Sequence, residues 1–438
     1  MIKNVKNNTV EQVVNKELCF GCGTCDALCP KNAIGLSIDE RKGIYIPRVN
    51  KNICNNCGFC YDVCPGYKVD YEKLNMEIFG KESKDILIGN YQDCYTGYSK
   101  NTKIRYNSSS GGLITQLLIY ALETGIINGA LITRMSKSNP LEPEPFIART
   151  KEEIIEASKS KYCPVPVNIV LREILESEGE EKFAVIGLPC HINGIRKAEN
   201  KNHKLKNKII LHLGIFCNHT PNFLGTELYL RRLNLKKEDI IKIDYRGEGW
   251  PGVMKIITST NTHKISDYWG FIGSYFFYPK RCLMCGDGVC ELADISFGDA
   301  WLPEFRDDNT GRSIIISRTE IGKHILQRMS EEGKIELNRV NSKEVVQSQT
   351  LMIYLKKKNF TIKKKLLKVY PYNKLLRSDI IDNSIALWFY FSTSLSSNPH
   401  LKIILQYMPL KVIKVYCAIF NKFALKKARK DFKDQYKF

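Results

Sequence analysis

The chain has 438 residues, 43% of them hydrophobic, which gives room for two to four domains and supports at least one large core. The formal net charge of +20 is uneven: Leu351 to Phe438 hold 19 Lys and Arg against 4 Asp and Glu, leaving a net of only +5 before them. The opening MIKNVKNNTVEQVVNKE has no apolar run and no cleavage-site pattern, so the sixteen cysteines argue for a reducing cytoplasm and against a secreted disulfide framework.

Eight of those cysteines fall into two copies of one pattern: Cys19, Cys22, Cys25 and Cys29 before Pro30, then Cys54, Cys57, Cys60 and Cys64 before Pro65. Both read C-x2-C-x2-C-x3-C-P, the spacing of bacterial ferredoxins that carry two [4Fe–4S] clusters. Three thiolates on a tight loop suit three corners of a cubane, and in this motif the fourth crosses to the other cluster. Cys19, Cys22, Cys25 and Cys64 are therefore expected to hold one cluster, and Cys54, Cys57, Cys60 and Cys29 the other. A zinc module would use paired C-x2-C motifs instead. Open cubanes also suit an anaerobic setting.

Residues 1–70 thus form a dicluster module, in which GIYIPRVNKN (43–52) reads as a short strand between the two cysteine loops. Residues 71–90 are polar and mixed, a linker with room for one helix. A larger unit spans 91–345. In it GALITRM (129–135), FAVIGLP (183–189) and IILHLGIF (209–216) read as buried strands, and LITQLLIYALETG (113–125) and EEIIEASKS (152–160) as helices. Strands interleaved with helices predict a layered α/β unit, and the whole chain is expected to be α+β. The last unit, 346–438, is Lys-rich and helical in pattern, with breaks at Pro371, Pro399 and Pro409. No segment approaches the ~18 apolar residues of a membrane span. Between Pro409 and Leu425, Lys411, Lys414 and Lys422 fall on one face of an otherwise apolar helix. That pattern suits peripheral contact with an anionic membrane at its inner face, and equally packing on the chain itself or on a partner subunit. No nucleic-acid-binding motif accompanies the basic tail, so nucleic acid is not expected as a partner.

In the central unit YNSSSGGLITQLL (106–118) sets serines and glycines directly before a helix, a loop able to present N–H groups and hydroxyls to a phosphate. SKYCPVP (160–166) has the look of a capped connection. Cys190 in GLPCH and Cys217 in GIFCNH stand at strand ends, and RCLMC supplies Cys282 and Cys285 with Cys290 following. Four thiolates would satisfy a third cubane or a structural zinc. His191, His212 and His219, close to the strand ends, are expected to be hydrogen-bonded core residues.

The order YNSSSGG, SKYCP, GLPCHINGIRKA, IFCNHTPN, DYRGEGWPG, RCLMCGDGVCELADISFGDAW and GRSIIISRT resembles the beta-subunit family of coenzyme F420 hydrogenases and dehydrogenases, here with a dicluster ferredoxin fused in front. The resemblance implies a FAD-binding domain with a cluster beside the flavin. It places Ser109, Ser110, Gly111, Gly112 and Thr115 along the flavin, with Ser160, Lys161 and Tyr162 nearby. It gives Cys190, Cys217, Cys282 and Cys285 to a third [4Fe–4S] cluster and leaves Cys290 out, as the natural substitute should one of the four fail. Asp294 and Asp299 would support the pocket or the cluster loop.

Clusters pass single electrons and a flavin exchanges either one or two, so the set is coherent for a FAD- and [4Fe–4S]-dependent oxidoreductase. Electrons would pass between a redox partner protein, such as a ferredoxin or another oxidoreductase subunit, and coenzyme F420 or another reducible small molecule. The alternatives are a non-catalytic electron-transfer subunit and a reductase acting in cell-surface polysaccharide synthesis.

Overall fold

The computed structural model describes residues 8–83, 85–358, 378–398, 404–405 and 407–436. The expected breaks at Pro371 and Pro399 lie outside them. The N-terminal module carries an antiparallel pair, β1 (Ile34–Asp39) and β2 (Ile44–Val49), between its two cysteine loops. Gly23 and Gly58 take left-handed conformations (φ 90° and 77°) at the starts of the short turns that follow the first and second cysteine triplets' entrances. The 71–90 linker contains one helix, Tyr71–Phe79, capped by Asp70.

The body is built on β3 (Asp93–Ser99), β4 (Gly129–Met135), β5 (Pro143–Ala148), β6 (Phe183–Gly187), β7 (Ile209–Ile215), β8 (Ile240–Asp244), β9 (Met254–Thr258), β10 (Thr262–Ile265), β11 (Ile295–Asp299), β12 (Ser313–Ser317) and β13 (Ile335–Val340). Eight of them form one mixed sheet in the order β13-β3-β12-β11-β7-β6-β4-β5, and β8, β9 and β10 form a small antiparallel sheet. The centre, β4-β6-β7-β11, is parallel, and antiparallel strands flank it on both sides. Buried on both faces, the central strands read as continuous apolar runs without alternation.

The three expected strands are observed as β4, β6 and β7. The stretch 183–189 ends as a strand at Gly187, because Pro189 opens the helix Pro189–Glu199, where its missing N–H costs nothing. The expected helices appear at Leu113–Glu123 and Lys151–Glu156. The second is shorter than its pattern: Lys159 takes a positive φ of 74°, and the Lys161 ammonium donates to the carbonyls of Ala157, Ser158 and Lys159. Those carbonyls are thereby satisfied without another helical turn.

Packing joins all units. Leu117, Leu118 and Ala121 cover one face of the sheet against Leu211, Leu213, Ile295 and Ile315. On the other, Ile192 and Ile195 pack with Leu131 and Val185 and with Ala27, Leu28 and Val63 of the dicluster module. The C-terminal region shares the core of the body: Ile385 and Phe389 of helix Ile380–Ser397, and Phe420, Ala424, Ala428 and Phe432 of helix Leu410–Tyr436, pack with Ile314, Ile316 and Tyr354.

Candidate electron-transfer site

All sixteen cysteines are free. In the N-terminal module burial, then the charge of Cys64, pushes the Cys22 thiol up to about 11, and the same two causes raise Cys19. Cys25 is raised by burial and by Cys22, Cys64, Cys19 and Cys60. Cys60 is pushed up to about 11 by burial and by Cys29, Cys57 and Cys54. The fold therefore sets Cys64 beside the first triplet and Cys29 beside the second, with Cys25 and Cys60 at the junction of the two groups. Backbone N–H groups of Gly21 and Ala33 point at the sulfurs of Cys19 and Cys29, 3.3 Å away in each case.

A third group stands at the carboxyl ends of the parallel strands, where crevices form in open α/β sheets. Cys190 follows β6, Cys217 follows β7, and the loop before β11 supplies Cys282 and Cys285. Burial, then Cys217, Cys22, Cys285 and Cys282, raises the Cys190 thiol. Burial pushes Cys217 up to about 12 against the opposing charge of Lys356. The appearance of Cys22 beside Cys190 joins this group to the first. Cys290, beside Gly214, is a core residue whose carbonyl accepts from Ser296. Four thiols in each group match the donor set of a [4Fe–4S] cubane, and thiols so raised must lose protons to iron on loading.

The module is fastened to the body around these groups. Asn168 donates its backbone N–H to the Cys22 carbonyl (2.9 Å) and its side-chain amide to Thr24 Oγ1 (2.8 Å). Arg172 donates to the carbonyls of Asp26 and Cys29, and Lys197 to those of Cys64 and Lys68. A side chain on Gly194 would meet Thr24 Oγ1 at 2.4 Å, so a glycine permits this close approach.

Next to the third group lies a cavity of about 890 Å³, within the size range of cofactor sites. Cys217 lines it, as do Ser109, Ser110, Gly112, Thr115, Ser160, Lys161 and Tyr162. The two loops that carry these residues meet directly: the Ser160 N–H donates to Ser109 Oγ at 2.8 Å. Gly112, at φ 74°, precedes the Leu113–Glu123 helix without a side-chain cap, leaving the first N–H groups of that helix to the cavity. Gly111 serves packing instead. A Cβ there would sit 2.6 Å from the Gly97 carbonyl oxygen, and its N–H donates to Ser313 Oγ.

Of the two aspartates, Asp299 lines the cavity and pairs with Arg246 at 2.7 Å, while Asp294 lies in a buried network outside it. Burial opposes the Asp294 charge, yet Arg196 and His212 prevail and hold its pKa down to about 2. His212 sits between Glu199 (2.7 Å) and Asp294 (3.0 Å), and His191 accepts from the Leu188 N–H and contacts the Val165 carbonyl. Both fit the expectation of satisfied core histidines. His219 does not: it stacks on Tyr278 at 3.4 Å, lines the cavity, and neither ring nitrogen has a partner. Arg246 is a residue the motif DYRGEGWPG contained without marking. Its side chain is only 8% exposed, it reaches Asp299, Tyr162 and the Pro251 carbonyl, and its Nη2 is left without a partner at the cavity. Unpartnered donors in a largely apolar cavity fit a bound ligand with a few acceptor atoms, as the edge and phosphates of FAD would offer.

Comparison with known proteins agrees in chain order. Residues 18–68 match the 4Fe-4S dicluster domain, 94–172 the N-terminal part of the coenzyme F420 hydrogenase/dehydrogenase beta subunit, and 180–343 its C-terminal part. The chain is 29% identical over 256 residues to a coenzyme F420 hydrogenase subunit beta of Methanothermobacter thermautotrophicus, covering 57% of this chain and 85% of the relative. It is 28% identical over 348 residues to a coenzyme F420-dependent sulfite reductase of Methanocaldococcus jannaschii, covering 76% of this chain and 49% of that protein. A chain of the F420-reducing [NiFe] hydrogenase complex from Methanosarcina barkeri superposes with a TM-score of 0.52 at 25% identity, covering 65% of this chain and 94% of its own. With its cysteine groups, mixed sheet and sequence all pointing one way, the chain belongs to the coenzyme F420 hydrogenase/dehydrogenase beta-subunit family and carries a 4Fe-4S dicluster domain in front.

Proposed function

We propose that the chain is an iron–sulfur flavoprotein oxidoreductase that relays electrons between a redox partner protein and a substrate at the cavity. The observation that carries this is the placement of the thiols: Cys19, Cys22, Cys25 and Cys64 line one recess of the dicluster module, and Cys217 stands in the wall of the cavity. FAD in the cavity would convert single electrons into the pairs a substrate exchanges. The Ser109–Gly112 loop and the helix after it would hold phosphate, and Arg246 and His219 offer their free nitrogens to ring acceptors. In the cavity wall Lys159 is paired with Asp244 and Arg246 with Asp299, which leaves Arg429 and Lys433 to favour an anionic substrate. Coenzyme F420, after which several relatives are named, is the first to test. Anaerobically purified protein should hold about twelve irons and about one FAD per chain. Reduced protein mixed with F420 should lose its electrons to it. Iron near eight with about one zinc would replace the third cluster by a zinc site, and absence of flavin would leave an electron-transfer subunit.

A second contact is favoured by the C-terminal helix. While Ile413, Phe420 and Ala424 are buried, Val412, Val415, Ile419 and Phe423 remain 49–56% exposed along one stripe, with Lys411 and Lys422 exposed near it. No helix among the described residues is long and apolar enough to cross a membrane. The stripe suits the surface of an anionic bilayer. Changing Val415, Ile419 and Phe423 together to asparagine should weaken pelleting with anionic vesicles by at least about tenfold. Unchanged pelleting would exclude this face as the point of contact.

A further inference from the structure

Arg281 is among the largest fully buried side chains of the chain, at 1% exposure, and its surroundings do not account for its hydrogen bonding. It opens the RCLMC segment, one residue before Cys282. Its Nη2 donates weakly to the Pro65 carbonyl at 3.4 Å, and its guanidinium lies over the Phe20 ring at 4.3 Å. Nε and Nη1 have no partner, and no carboxylate pairs with it among the described residues. A buried cation with two idle donors is costly. Phe20 adjoins Cys19, Pro65 adjoins Cys64 and Arg281 itself adjoins Cys282, so the guanidinium touches the chain beside ligands of both the first group and the third.

We infer that Arg281 is a positioning residue for electron transfer, which donates to cluster sulfur at the junction between the Cys19/Cys22/Cys25/Cys64 cluster and the Cys190/Cys217/Cys282/Cys285 cluster and raises the reduction potentials of both. This rests on the relay proposed above and adds to it a cause for its energetics. A cubane held by four thiolates is anionic and gains negative charge on reduction, so a fixed neighbouring cation favours the reduced form. Hydrogen bonds to cluster sulfur act in the same direction. The guanidinium spreads its donors over a rigid plane that can face two clusters at once, whereas the three donors of a lysine ammonium share one nitrogen. Neither Phe20 nor Pro65, the two residues the guanidinium touches, adjoins Cys29, Cys54, Cys57 or Cys60, so the potential of that cluster is expected to stay in place. The neighbouring Lys280 is neutralised by Glu17 at 2.7 Å and fastens the same segment to the first cysteine loop, so Arg281 is not required as a structural tie there.

The test is an EPR-monitored redox titration of anaerobically purified full-length protein, comparing wild type with Arg281→Gln and Arg281→Lys, each at measured iron content. The expected result is that two of three cluster signals shift to lower potential in Arg281→Gln while the third stays in place, and that Arg281→Lys recovers part of the shift. Full iron content with all potentials unchanged would overturn the inference, as would an equal shift of all three signals. If Arg281→Gln fails to load iron, Arg281→Lys decides by the same criterion. Wild-type iron near eight refutes the third cluster separately, and the inference is then judged on the first cluster alone.

Discussion

Replacing Cys217 with alanine should yield a protein that retains about eight of about twelve irons, with the two N-terminal clusters still reducible and the cavity cut off from them. Cys217 sits where the third thiol group meets the cavity wall, held by its N–H to the Gly288 carbonyl at 2.8 Å. Electron delivery from a low-potential donor to the cavity should fall by more than the ~10- to 100-fold that loss of a supporting residue costs a metal site. Iron analysis and stopped-flow reduction read the two effects separately. Retention of all the iron would point to a different ligand set. Cys290, which feels the charge of Cys217, would be the first to examine.

Arg318→Met should lower the stability of the chain by about 3–5 kcal/mol, read as a lower urea midpoint with full far-UV signal in native buffer. Arg318 follows β12 and its guanidinium is buried. Nη1 donates to the carbonyls of Ile88 (2.7 Å) and Asn90 (2.6 Å), Nη2 to that of Val289 (3.0 Å), and Nε to Ser296 Oγ (3.0 Å). One side chain thus ties the end of the linker, the loop after Cys285 and β11. Removing it strands several buried acceptors at once, and lysine should restore less than half, lacking the planar fork. A change within about 0.5 kcal/mol, the usual range of a surface substitution, would contradict this account.

Much of this architecture was legible in the residues themselves. The doubled cysteine pattern identified the module, and β4, β6 and β7 were recognisable because strands buried on both faces are continuous apolar runs. The antiparallel flank was not read. DCYTGYS in β3 has no continuous apolar run yet is mostly buried, with β13 and β12 on its two edges. The β8–β10 sheet escaped notice because its strands are short and its outer strand is exposed. In the site, the meeting of the SSSGG and SKY loops followed from motif order, but Gly111 turned out to serve packing against Gly97. Arg246, Arg281 and Lys356 carry no local signature. A buried cation is recognisable only from what surrounds it, and that is settled by residues far away in sequence.

Leu425, Arg429 and Lys433 of the C-terminal helix form part of the cavity wall, beyond residue 343 where the family match ends. On the ribosome the cysteines of the dicluster module emerge at least 346 residues before this helix begins. At about 5–20 residues per second, that is an interval of tens of seconds. During it the thiols of the dicluster module can be gathered while the cavity still lacks one side. The order of synthesis thus puts the cysteines of the dicluster module well ahead of the last wall of the cavity.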